Sequence, residues 1–292
     1  MPISQAKPIG YSCRVTPMVQ DHSLTHLTAA EARLSALLSR PAVMAWGCVV
    51  LLTALGWAAI GLLSANEAGG AWSWQALCRP ARGAASLAVV LPMWGAMTLA
   101  MMLPTAGPMI VTYAEIADTA ARKHEHAVSP LVLAAGYLAV WFGFAVAVAL
   151  LQWTLARAGW LDGGTTGSRM GGLLFIGAGL YQFTPVKRAC LSQCQRPFPF
   201  FFANWTEERT GVFRLGLRQG VYCLGCCWAT MLLMFATGAM NVVWMAALGI
   251  LMTVEKIVTS PGLSRAAGAV FIVIGVAMAA GAGFQGEASR WT

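Results

Sequence analysis

Three cysteines at positions 223, 226 and 227 fall on one face of any helix that carries them, because residues three and four apart are neighbours on a helical surface. Continuing that face adds Thr230, Met231 and Met234, so a thiol cluster leads into thioethers. After Gly238 a second apolar run carries Asn241, Met245, Leu248, Met252 and Glu255 at similar spacing. Cys190 and Cys194 form a further pair, four residues apart, placed on one helical turn or in one tight loop and adequate for two metal ligands. Upstream, Met93, Met97, Met101 and Met102 lie within one short stretch, the first three in steps of four. Thiolate and thioether donors without imidazole select soft ions: chiefly Cu(I), with Zn(II) or an iron–sulfur cluster as competitors. A carboxylate inside an apolar run is rare and functional by default, so Glu255 either offers an oxygen or is neutralised by Lys256, Lys187 or Arg218. The candidate metal ligands are therefore Cys190, Cys194, Cys223, Cys226, Cys227, Met97, Met101, Met102 and Glu255.

The elements that must position these residues are apolar helices. Of 292 residues, 58% are hydrophobic and only 10% charged, with mean hydropathy +0.66. A soluble domain carries about a quarter charged residues, so the composition predicts an all-α polytopic membrane bundle. Runs near 42–64, 84–104, 131–153, 170–186, 217–238, 240–258 and 265–284 approach the roughly 20 residues that cross a bilayer. They make about seven helices, with six the alternative count. The net charge of +8 does not point to nucleic acid, because the basic residues flank the apolar runs. Under the seven-helix reading, 14 of the 19 lysines and arginines fall on the side of the N-terminus, which the positive-inside rule makes cytoplasmic.

Residues 1–40 read as a flexible cytoplasmic tail, with a short amphipathic helix over Ala29 to Leu38 and His22 and His26 as solvated side chains. Residues 41–286 form one transmembrane domain. Trp72 and Trp74 look like interface anchors in the first outer loop, near the isolated Cys78. Pro92 is expected to kink the second helix. Pro104 and Pro108 steer the chain into an amphipathic segment from Tyr113 to Glu125 that ends in the His124-Glu125-His126 turn. The third helix, Leu131 to Trp153, looks structural, and Gly171, Gly177 and Gly179 suit close helix approach. Residues 187–214 read as a cytoplasmic interfacial loop in which Pro197 and Pro199 discourage a helix. On the cytosolic side thiols stay reduced, which favours metal or redox chemistry over structural disulfides for the five clustered cysteines.

The set Met97-Thr98-Leu99-Ala100-Met101-Met102-Leu103-Pro104, Thr184-Pro185-Val186-Lys187 with Cys190 and Cys194, Tyr222-Cys223-Leu224-Gly225-Cys226-Cys227-Trp228, and Met240-Asn241 through Glu255-Lys256 resembles a bacterial family of integral membrane proteins, domain of unknown function 2182. The resemblance covers roughly residues 85 to 260. It implies a multi-pass protein of the bacterial inner membrane that handles a metal, with a histidine just before the Tyr-Cys step, where this chain has Gln219. The leading functional expectation is a carrier, chaperone or insertion factor for Cu(I) or a similar ion, with a metallochaperone or a recipient membrane enzyme as partner. No Walker motif is present to couple it to ATP, and no acid–base constellation marks an enzyme. Two other readings stay open. One is a membrane thiol–disulfide oxidoreductase, with Cys223/Cys226 as the working pair and Cys190/Cys194 as its shuttle. The other is a structural or assembly subunit whose small residues pack helices.

Overall fold

The computed structural model describes residues 40–65, 84–159, 168–237 and 241–280. Every regular element among them is helical. In chain order they are α1 (Pro41–Ala65), α2 (Ala84–Met97), a π-helical turn (Thr98–Met102) that runs on into α3 (Leu103–Arg122), α4 (Pro130–Arg157), α5 (Ser168–Gln182) and α6 (Pro185–Gln195). Then come α7 (Pro197–Ala203), α8 (Arg209–Leu232), the short α9 (Met234–Thr237), α10 (Val242–Ile257) and α11 (Pro261–Ala279). The tail histidines, Trp72, Trp74 and Cys78 lie outside the described residues.

Local sequence explains most helix starts. Ser129, Thr184 and Ser260 each precede a proline, and each side chain accepts from a first-turn backbone N–H while the proline fills a position that needs no donor. Asn241, expected on the polar face of its helix, instead caps α10 by accepting from Val243 N and Trp244 N. Pro197 and Pro199 do not prevent a helix. Both fall in the first turn of α7, where the missing N–H groups would find no intrahelical partner anyway. The expected 187–214 loop is therefore built from α6, α7 and the first turns of α8.

Among the described residues, five helical segments are long and apolar enough to cross a membrane: Pro41–Leu62, Val90–Arg122, Pro130–Arg157, Arg209–Thr237 and Pro261–Ala279. The two other expected spans fall on α5 and α10, which at 15 and 16 residues are shorter than the roughly 20 that cross a bilayer. The break foreseen after Pro104 does not occur. The second span continues to Arg122 through Pro108, which stands inside α3. Its irregularity is the π turn over Thr98–Met102. α1 presents Val50, Leu51, Leu55 and Leu62 outward, as expected of a lipid-facing helix.

Glycines set the two closest helix crossings. A Cβ on Gly136 of α4 would meet the backbone of Phe213 in α8, and one on Gly216 of α8 would meet the Leu133 carbonyl in α4. Gly172 and Gly179 of α5 face Gly275 and Gly268 of α11 in the same way, whereas Gly177 faces open space. The crossing of α4 with α8 positions the site.

Candidate metal centre

The thiol cluster occupies one helical turn of α8. Cys223, Cys226 and Cys227 are 1–2% exposed, and their three Sγ atoms all lie within 4.8 Å of one another. Cys226 Sγ lies 3.3 Å from Cys227 Sγ and donates to the Cys223 carbonyl at 3.1 Å. An ion bonded to two sulfurs at about 2.3 Å spans at most about 4.6 Å between them, so these thiols stand near ligand spacing. Cys194, delivered by α6, stands near enough to Cys223 and Cys226 for the thiols to influence one another. Cys190 sits one turn earlier on α6 against Gly225, where any side chain would collide with its Sγ. None of these cysteines is in a disulfide. Burial lifts the Cys190 thiol above the ordinary range. The neighbouring Cys223 thiol is the main cause that lifts Cys194, so both thiols hold their protons at neutral pH.

Met97, Met101 and Met102 are at most 2% exposed and belong to the same continuous core as the thiols. Met101 packs against Gly249 of α10. Met102 reaches the cluster through its backbone. In the π turn its carbonyl accepts from Thr105 Oγ1 at 2.7 Å and from the Tyr137 hydroxyl at 3.1 Å. π turns free carbonyls from the α-helical ladder and are frequent at functional sites.

The Tyr137 hydroxyl also lies 3.0 Å from Cys223 Sγ. Lys256 Nζ donates to the same sulfur at 2.8 Å and to Thr105 Oγ1 at 2.6 Å. Tyr137 belongs to the helix expected to be structural, so its presence at the cluster corrects that reading. Only its place two turns into α4, level with the Gly136 crossing, could have signalled it.

Glu255 is not at ligand spacing with the three thiols. Its Oε2 accepts from Lys187 Nζ at 2.7 Å, both side chains are buried, and Lys187 also donates to Gln182. Its Oε1 is buried without a partner. Of the three cations proposed to neutralise it, Lys187 does so. Lys256 turns to Cys223, and Arg218 donates to Asn204 at 2.9 Å. Gln195 Nε2 adds bonds to the carbonyls of Glu255 and Val258 at 2.8 and 3.0 Å, so both ends of α6 are fixed near the close of α10. Gln219 is buried one turn before Cys223, with its Nε2 unpartnered.

No curated protein and no solved structure matches the chain. One family model does, over residues 91–278, from the second span to the last and across every thiol of the cluster. That match covers well over half of the 292 residues and agrees with the metal-handling part of the resemblance drawn from the motifs. The chain thus belongs to the family PpoB2, described as copper chaperones.

Proposed function

We propose that the protein is a multi-pass chaperone of the bacterial inner membrane that holds Cu(I) at Cys223, Cys226 and Cys227 and releases it to a recipient protein. The observation that carries this reading is the buried triad of thiols within 4.8 Å. Soft sulfur donors hold Cu(I) without geometric strain, and a copper-chaperone family gives them a cargo. Cys194 and Cys190 supply a route on and off, because both stand on α6 and are only partly buried, beside a triad that is closed. Thioethers of Met97 and Met101 are neutral and weaker donors, suited to passing the ion along the core rather than retaining it. Glu255 serves the route indirectly, by fixing α6 through Lys187.

A thiol–disulfide exchanger needs an accessible attacking thiol, and the triad is sealed at 1–2% exposure, which favours metal carriage. The deciding experiment is metal content and free-thiol count of anaerobically purified protein, beside a C223S/C226S/C227S variant. About one copper per chain in the parent, lost in the variant, is the expected result. Copper retained by the triple variant would place the site elsewhere.

A further inference from the structure

A polar cavity of about 150 Å3, lined by no cysteine, lies between α5, α6 and α11. Arg188 of α6 and Arg265 of α11 line it, and no carboxylate does. Neither guanidinium has an ion-pair partner among the described residues. Ser264 lines the same cavity, only 6% exposed, and its hydroxyl makes no hydrogen bond to a described residue. Gln182 adds an amide: its Oε1 is held by Lys187, which leaves the nitrogen to donate. The 19-residue helix α11 starts at the rim, where first-turn N–H groups and the helix dipole favour an anion. Two cations, a buried hydroxyl, an amide and a helix N-terminus, with nothing negative to meet them, describe a site for a phosphate group.

We infer that this cavity binds the phosphate of an anionic phospholipid, whose acyl chains run along the apolar flank beside it. The inference goes beyond copper carriage and rests only on the membrane part of the reading above. The flank points to a lipid rather than to a free phosphate. Phe183 lines the cavity and is 43% exposed, and Leu180 and Val186, three residues to either side, are exposed as well. A soluble anion needs no such apolar border. Basic pockets between membrane helices hold anionic headgroups in this way. Arg188 follows Lys187 on α6, so a bound headgroup ties the helix that carries Cys190 and Cys194 to the start of α11.

The test titrates full-length protein in neutral detergent with phosphatidylglycerol, phosphatidylcholine or inorganic phosphate, and counts bound ligand by native mass spectrometry. Phosphatidylglycerol should bind roughly tenfold or more tightly than phosphatidylcholine, the scale of two arginines acting on one anionic headgroup. Arg188→Gln/Arg265→Gln should lose that preference. Arg209→Gln/Arg214→Gln, which neutralises two exposed arginines outside the cavity, should keep it. Equal losses in both double variants would reduce the effect to general surface charge and overturn the site. Ser264→Val fills the cavity without changing charge and should also lose the preference; a folded Ser264→Val that keeps it is equally fatal. Inorganic phosphate bound as tightly as the lipid would assign the cavity to a soluble anion and overturn the inference. A protein that stays in solution without detergent would instead overturn the membrane reading itself.

Discussion

Glu255 and Lys187 lie 68 residues apart in the chain and meet at 2.7 Å with almost no exposure. Removing one partner leaves the other charged and buried, so Glu255→Leu should cost about 3–5 kcal/mol, read as a lowered thermal midpoint in detergent. The double variant Lys187→Met/Glu255→Leu should recover most of that loss, since apolar pairs replace buried ion pairs at little cost. A double variant no more stable than the single would contradict this account. Cys190 makes a pH prediction. Burial raises its thiol pKa, and only the thiolate is alkylated, so its alkylation rate should keep climbing with pH beyond the ordinary thiol range. A rate that is half-maximal at the ordinary thiol value of about 8.5 would show that the thiol is not held up. The grouping of Cys223, Cys226 and Cys227 was legible from type and spacing alone. Tyr137 and Thr105 were not, because they reach Cys223 and Lys256 across 86 and 151 residues and sit in apolar runs with no local signal.

Helices, more than single residues, decide how tightly the cluster is closed. The α4–α8 crossing depends on Gly136 and Gly216, whose backbones approach so nearly that a Cβ on either has no room. Gly216→Val should therefore separate the helices, at a cost of about 1–3 kcal/mol or more from overpacking. It should also move Tyr137 away from Cys223, read as faster modification of Cys223 by a small maleimide; an unaltered rate would mean that the helices adjust elsewhere. Seven apolar runs foretold helices at the right places. Their ends were less legible, because capping and first-turn chemistry outweigh single-residue preference: Pro197 begins a helix, Pro108 does not end one, and Asn241 is spent on a cap. The π turn left no trace in the pattern, since Met97 and Met101 keep a spacing of four whichever ladder carries them.

Among the described residues, Thr105, Gln219, Lys187, Glu255 and Lys256 are buried polar groups carried by α3, α8, α6 and α10, while α1 and much of α11 present apolar side chains outward. Under the seven-helix reading, which places most basic residues on the side of the N-terminus, the α6 cysteines are expected to face the cytosol. A membrane-impermeant maleimide should then label Cys190 in inverted vesicles and spare it in intact cells. Labelling from outside would reverse the topology and the direction in which metal is exchanged.

The Lys187–Glu255 bond also sets a schedule for biogenesis. When α6 leaves the ribosome its lysine has no counter-charge, and none arrives until α10 has been made. At 5–20 residues per second, the 68 intervening residues take roughly 3–14 s. On the membrane reading, Lys187 waits at the aqueous boundary during that interval, and the Cys223 turn enters the bilayer without Lys256. A nascent chain arrested before Val242 therefore exposes both an orphan cation and three reduced thiols, the kind of intermediate that membrane quality-control proteases remove. The full surroundings of the thiols, Lys256 on Cys223 included, exist only once α10 has been made.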